Sequence, residues 1–189
     1  MNTKKTAPLF LAIFAFFILT GFFNDQTPDE ARKEQQQMRQ ETLNKLYAEA
    51  PEAKKKIQNS AGYAVFSNIG INLFLLSTAN GAGVAHNNKT GKDTYMKMWS
   101  GGVGVGLGVK DFRGVFIFAN QQVFNKFVTE GWQAGAQADA AARNEGEGDA
   151  ADVAIDVGPG IELYQMTESG LALQATIQGT KYWQNEDLN

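Results

Sequence analysis

Glycine alternates with an aliphatic residue from 102 to 109, within residues 100–109, a segment that we call the glycine comb. A period of two is the period of a β-strand, in which alternate residues face opposite sides. One face of the comb would be bare backbone, and the other would carry valine and leucine. Glycine weakens a strand unless something packs closely against it. The comb therefore predicts a strand against which a helix, a curved sheet or a ligand lies close. The residues to which we assign this structural role are Gly102, Gly104, Gly106 and Gly108.

Apolar and alternating runs predict further strands along most of the chain. These runs are 63–66, 71–76, 83–87, 93–99, 115–119, 154–157, 161–166 and 171–178. Short turns join most of them, which favours an antiparallel sheet, and so many strands favour strong curvature or a barrel.

Three helices are also predicted. Residues 27–30 form a helix start with a capping box, so a helix should run over 28–48. Its first half, 30–37, has almost no apolar face, and we expect it to be exposed or frayed. Shorter helices are predicted over 52–59 and over 121–130. The fold class is therefore α+β: N-terminal helices, then a strongly curved, barrel-like antiparallel β-sheet with the third helix packed on it, near the bare face of the comb.

Catalytic and metal-binding chemistry is scarce in this chain. It has no cysteine and one histidine, His86, so it cannot build the usual zinc site. The comb contains no G-x-G-x-x-G phosphate loop, and no G-x-S-x-G serine is present to make His86 a catalytic base. We predict a protein that is not an enzyme, with no metal site and no cofactor, in which His86 is structural.

Residues 1–23 have the pattern of an export signal, because Lys4 and Lys5 precede a long apolar run. The run is long for a cleaved signal and short for a bilayer span of about 20 residues. Cleavage and retention as an inner-membrane anchor both stay open. Phe22 stands where a lipoprotein needs its lipidated cysteine, so we expect no lipidation by that route. Residues from Asn24 onward should lie in the periplasm.

Cations are sparse, and the formal net charge of the 189 residues is -3. This balance disfavours a nucleic-acid partner, because binding to phosphate backbones requires clustered lysine and arginine. The one dense basic cluster is Lys54, Lys55 and Lys56, while Lys110 and Arg113 flank the turn after the comb. All five are candidates to bind an anionic lipid headgroup. The alternative is ordinary solvation of a helix face and of a turn, since successive helical residues point in different directions.

Several short motifs follow one another in a fixed order. They are Ala-Gly-Tyr-Ala-Val-Phe at 61–66, Asn-Gly-Ala-Gly-Val at 80–84, the comb, Val-Phe-Ile-Phe-Ala-Asn at 115–120, Gly-Pro-Gly-Ile at 158–161 and Gly-Thr-Lys-Tyr-Trp at 179–183. In this order they resemble the SYLF domain family, a lipid-binding module, and in particular its bacterial exported branch. The resemblance implies binding of phospholipid, with phosphoinositide in eukaryotic members.

The resemblance and the leader together divide the chain into four parts. Residues 1–23 are a signal peptide or membrane anchor, 24–50 an N-terminal helical segment, 51–184 a SYLF-like domain and 185–189 a polar tail. The expected function is an exported, non-enzymatic protein of the cell envelope that binds phospholipid or the membrane surface. The alternative is an envelope scaffold or assembly module that binds another protein through its curved sheet. Five aromatic residues could line a lipid pocket or belong to the core: Phe74, Phe112, Tyr164, Tyr182 and Trp183.

Overall fold

The computed structural model describes residues 26–68, 81–100, 112–134, 154–167, 170–172 and 179–189. The helices in these ranges are α1 (Pro28–Glu49), α2 (Glu52–Asn59) and α3 (Gln121–Glu130). The strands are β1 (Gly62–Ser67), β2 (Gly81–Asn87), β3 (Asp93–Ser100), β4 (Arg113–Phe118), β5 (Trp132–Gln133), β6 (Ile155–Gly158), β7 (Ile161–Thr167), β8 (Gly170–Ala172) and β9 (Thr180–Gln184). Four predicted features lie outside the described residues: the leader, the strand over 71–76, the comb after Ser100 and most of 171–178.

The strands form one antiparallel sheet in the order β5-β9-β3-β2-β1-β4-β7-β6, and β8 pairs with β7. Strand β1 lies near the middle, where Tyr63 is opposite His86 of β2 and Ile117 of β4. The sheet curls into a half-barrel. The predicted α+β fold with a curved, barrel-like antiparallel sheet is therefore confirmed.

Each face of the sheet is covered by a different set of helices. We call the face under α3 the inner face and the face under α1 and α2 the outer face. The inner core is rich in aromatic rings, among them Phe66, Phe116 and Tyr182. The outer core contains Leu46, Ile57 and other apolar residues of α1 and α2 together with the outward residues of β1, β4 and β7. Burying both faces removes most of the central apolar surface from water.

Helix α3 packs against the inner face with its apolar side chains. Asn120 caps it, since its Oδ1 accepts a hydrogen bond of 3.0 Å from the Val123 backbone N–H. The ring of Phe127 lies within 4.8–6.2 Å, centroid to centroid, of five other aromatic rings. The comb residues that α3 was expected to cover lie outside the described residues. A close helix approach does occur at Gly62, where an added Cβ would lie 2.7 Å from Phe124 Cδ2.

Helix α1 begins at the predicted capping box, in which the Glu30 N–H donates to Thr27 Oγ1 and the Thr27 N–H donates to Glu30 Oε2. The expectation that 30–37 is exposed or frayed is wrong. Ala31 and Gln35 are buried, and Gln35 is only 3% exposed. Gln36 contacts the sheet through hydrogen bonds to Asp93 and Tyr95, and a hydrophobic pattern could not reveal such packing.

Helix α1 crosses the outer face from the C-terminal residues to β7. Near its start, Arg32 Nε donates to the Leu188 carbonyl at 2.9 Å. Near its end, Lys45 Nζ donates to the Thr167 carbonyl of β7 at 2.7 Å. Residues 185–189 fold back beside β3, where Asn189 Nδ2 donates to the Tyr95 carbonyl. No helix within the described ranges combines the length and the apolar character needed to cross a bilayer.

The close approach at Gly62 gives a test of the α3 packing. In Gly62→Ala, the new methyl would lie 2.5 Å from the His86 carbonyl oxygen and 2.7 Å from the Phe124 ring. Such overpacking costs about 1–3 kcal/mol, and we expect a loss of that size in the free energy of unfolding by urea. Gly158→Ala is the matched control, because nothing lies within 4 Å of its added Cβ. Equal stability of the two variants would contradict the packing described here.

Candidate functional site

The lysine cluster lies on α2, and its three members do not share one environment. Lys54 and Lys55 are exposed, whereas Lys56 is partly buried. Lys56 Nζ lies 2.9 Å from Glu162 Oε2 and 5.9 Å from the centre of the Tyr164 ring. Because Lys56 already has an acidic partner, Lys54 and Lys55 are the two cations that the cluster offers to an anionic ligand.

The way α2 is anchored to the core explains why Lys54 and Lys55 are exposed. Ala53 is completely buried and Ile57, four residues later, is 4% exposed, so this side of the helix faces the core. Lys54 and Lys55 are then turned towards solvent. The end of α2 is held by Asn88, whose Nδ2 donates to the Ile57 carbonyl at 2.7 Å. Lys54 Nζ lies 5.9 Å from the centre of the Tyr47 ring of α1, which places an aromatic face beside the exposed cations.

Arg113 lies on the outer face as the first residue of β4, in register with Ser67 and Met166. The partner of Lys56, Glu162, is in register with Ile117, four residues further along β4. At ~3.4 Å per residue this separation is roughly 14 Å. The structure therefore places Arg113 on the same face as the lysines but does not bring it to them. Lys110 and the four comb glycines lie outside the described residues, so their roles stay predictions.

A second polar cluster joins α1 to the β2–β3 hairpin and centres on Asp93. Its Oδ1 lies 2.6 Å from His86 Nδ1 and 2.8 Å from Arg39 Nη1. Its Oδ2 accepts a hydrogen bond of 2.8 Å from Gln36 Nε2. His86 thus has the bonded partner expected of a structural histidine. Burial alone would raise the pKa of Asp93, but the hydrogen bonds from His86 and Gln36 and the charge of Arg39 hold the pKa below its usual value.

The Asp93 cluster is a clamp between elements. All of its hydrogen bonds connect side chains of α1, β2 and β3, and its members are half-buried. No group of three His, Cys, Asp or Glu side chains in the described part of the chain is placed to hold a metal ion. We interpret the cluster as the contact that fixes the polar half of α1 to the sheet.

The candidate pocket-lining aromatics belong mostly to the packed interior. Phe112, Tyr164 and Tyr182 are at most 5% exposed and sit in the two cores. Trp183 is only partly buried, and Phe74 lies outside the described residues. The rings of Phe112, Tyr164 and Tyr182 stabilise the fold by close packing and do not line an open pocket.

Where β3 pairs with β9, Trp183 meets three residues that the sequence analysis did not single out: Lys97, Trp99 and Lys181. Lys97 is opposite Trp183, and Trp99 is opposite Lys181. The sequence carried a signal for this arrangement, because both strands contain the pattern Lys-x-Trp. The pairing of two distant segments was needed to give that pattern a meaning.

Comparison with known proteins finds a similar bacterial protein. No family model matches the chain. The chain is similar to Beta cell expansion factor A of Aeromonas veronii, with 39% identity over 170 residues that make up 90% of this chain. It spans 63% of the length of that relative. The similarity therefore covers most of this chain, but it leaves more than a third of the relative without a counterpart.

The lowered pKa of Asp93 predicts how stability depends on pH. A carboxyl group whose pKa is lower in the folded state stabilises the fold above its unfolded pKa of about 3.9, and this contribution is lost as the pH falls towards the folded pKa. We expect the free energy of unfolding to fall from pH 6 to pH 3, and to fall less in Asp93→Asn. Urea unfolding at a series of pH values measures both slopes.

The matched control for Asp93 is Asp187→Asn, because the Asp187 side chain is 69% exposed and an exposed ion pair contributes little to stability. This variant should keep the wild-type dependence on pH. If Asp93→Asn and wild type lost the same free energy between pH 6 and pH 3, the clamp would not depend on the Asp93 charge.

Proposed function

We propose that this chain is an exported, non-enzymatic protein of the cell envelope that belongs to the SYLF lipid-binding family and binds phospholipid at a membrane surface. The observation that carries the proposal is the exposed pair Lys54 and Lys55 on a helix that Ala53 and Ile57 anchor to the core. The order of motifs along the chain and the export pattern of the leader support the same function.

The charge distribution favours contact with a membrane through local sites. The formal net charge is -3, so the whole molecule is not drawn to an anionic bilayer. A pair of adjacent exposed cations still attracts anionic headgroups, by about 1 kcal/mol for each cation near the surface. Such attraction weakens within a Debye length, roughly 8–10 Å at ordinary ionic strength. We therefore expect binding that depends strongly on salt.

The relative identifies neither a ligand nor a location for this chain. Its name describes a factor for the expansion of beta cells. Because this chain spans 63% of the relative, an effect on beta cells is not part of the proposal.

The inner face of the half-barrel contributes little to a binding role. Phe66, Phe116 and Phe127 fill it and are at most 1% exposed. The described sheet is therefore packed in the manner of a protein core, and its outer surfaces and helices carry the binding sites. A scaffold role through the curved sheet would have to use the same outer surfaces.

Substitution of the exposed lysines tests the proposal. We expect Lys54→Gln with Lys55→Gln to weaken binding to vesicles of phosphatidylglycerol and phosphatidylcholine by about 2 kcal/mol, roughly thirtyfold in Kd. Co-sedimentation at several salt concentrations measures the affinity and its dependence on salt. The protein is purified from the envelope of cells that express it, so that its leader is in the natural state.

The matched control is Lys89→Gln with Lys92→Gln, which removes two exposed cations from the turn between β2 and β3. This pair should bind vesicles nearly as wild type does. Equal losses in both double variants would show an effect of net charge alone. The proposal would be abandoned if the wild type failed to co-sediment and native mass spectrometry found no retained lipid, and a stoichiometric protein crosslink in cells would then favour a scaffold.

A further inference from the structure

We infer that the outer side of the β3–β9 pair is a membrane-contact surface that places two tryptophans at the headgroup level of an anionic bilayer. We call it the Lys-Trp surface, and it consists of Lys97, Trp99, Lys181 and Trp183. The inference rests on the proposed function and goes beyond it, since it assigns a second contact and with it an orientation on the membrane.

Strand register brings the four residues to one face. In β3, Met96 and Met98 belong to the inner core, so Lys97 and Trp99 face outwards. In β9, Tyr182 belongs to the inner core, so its neighbours Lys181 and Trp183 also face outwards.

Because the two strands are antiparallel, the lysine of each Lys-x-Trp pattern lies opposite the tryptophan of the other. Lys97 is the partner of Trp183, and Trp99 is the partner of Lys181. Directly opposite residues in a sheet lie about 4.5–5.5 Å apart at Cβ. Each tryptophan therefore lies beside a lysine on the neighbouring strand, in a two-by-two checkerboard.

Among the described residues, no helix covers the outer face at this end of β3. Gln36 of α1 reaches Asp93 and Tyr95. Trp99 lies four residues beyond Tyr95, next to the last residue of β3. Trp99 is 41% exposed and is the one large hydrophobic side chain in the exposed class within the described ranges. Lys181 is exposed as well, and Trp183 is partly so.

An anionic bilayer matches this chemistry better than a protein partner does. Tryptophan rings favour the interface between water and hydrocarbon, where the indole ring is buried and its N–H stays hydrated. Lysine stems lie along apolar surface while the ammonium group reaches the headgroups. Two rings and two lysines supply both requirements, but four side chains are few beside the roughly 20–30 residues that each side of a stable protein interface contributes.

One acidic side chain moderates the surface. Asp187 Oδ2 lies 3.0 Å from Lys97 Nζ, and the Asp187 side chain is 69% exposed. Lys97 is only 15% exposed, so its charge is largely offset where it stands. Removal of the Asp187 charge should leave the Lys97 charge unopposed, so that it attracts anionic headgroups more strongly. An Asp187 variant should therefore bind the membrane more tightly.

The Lys-Trp surface is distinct from the lysines of α2. The partner of Lys56 on the sheet, Glu162, belongs to β7, which is five positions from β9 in the strand order. Neighbouring strands are ~4.8 Å apart, so the path along the sheet is roughly 24 Å. Substitutions at one site can therefore be read separately from substitutions at the other.

Tryptophan fluorescence locates the contact. Trp132→Phe with Trp183→Phe leaves Trp99 as the one emitter among the three tryptophans of the chain. Trp99→Phe with Trp183→Phe leaves Trp132, which packs against the inner core and is the built-in control. On vesicles of phosphatidylglycerol and phosphatidylcholine with brominated chains, we expect Trp99 to be quenched and shifted to the blue, while Trp132 is unchanged.

Binding of charge and ring variants tests the same surface independently. Lys181→Gln should weaken binding to the phosphatidylglycerol vesicles about fivefold, and Asp187→Asn should strengthen it about fivefold. Trp99→Ala should weaken it at least as much as Lys181→Gln. Lys126→Gln, at an exposed position of α3, is the matched control and should bind as wild type does. Circular dichroism confirms that each variant is folded.

The outcomes separate this inference from the proposed function. If wild type binds vesicles but Trp99 is not quenched, and Trp99→Ala and Lys181→Gln bind as wild type does, the Lys-Trp surface is overturned while lipid binding stands. If wild type does not bind vesicles, both are overturned. If Trp99→Ala changes self-association in sedimentation and not vesicle binding, the surface joins copies of the chain and the inference is again overturned.

Discussion

The two central strands β1 and β4 are buried on both faces, and the positions of the helices follow from that requirement. Every residue of β1 is buried, as is every residue of β4 after Arg113. A strand that water reaches on neither side needs an apolar cover above and below. Helix α3 supplies the inner cover with Phe124 and Phe127, and α1 and α2 supply the outer one. The candidate sites lie where these covers end.

Polar contacts decide how the outer cover is placed. In the second half of α1, Leu43 and Leu46 pack into the outer core. The first half is held by hydrogen bonds from Gln36 to Asp93 and from Arg32 to the carbonyl of Leu188. A partly buried carboxylate is stable only when donors surround it. This clamp sets where α1 starts on the sheet, and so it leaves the end of β3 with Trp99 open to solvent.

Much of the fold could be predicted from the sequence, because many of its signals depend only on residues close together in the chain. The capping box at Thr27 and Glu30, the Asn120 cap and the apolar spacing of Phe124 and Phe127 each depend on neighbouring residues. The helices over 52–59 and 121–130 were predicted with the observed bounds. The packing of 30–37 was not predictable, because its partners, such as Leu188, are far away in the chain and its contacts are polar.

The sequence by itself determined the fold class, the lack of cysteine chemistry and the existence of a basic cluster at Lys54, Lys55 and Lys56, since these depend on composition and short-range pattern. Only the tertiary structure decided which cations are available. It paired Lys56 with Glu162 and kept Arg113 apart from the cluster. It also joined two separate Lys-x-Trp patterns into one surface, because strand pairing couples residues that no local pattern connects.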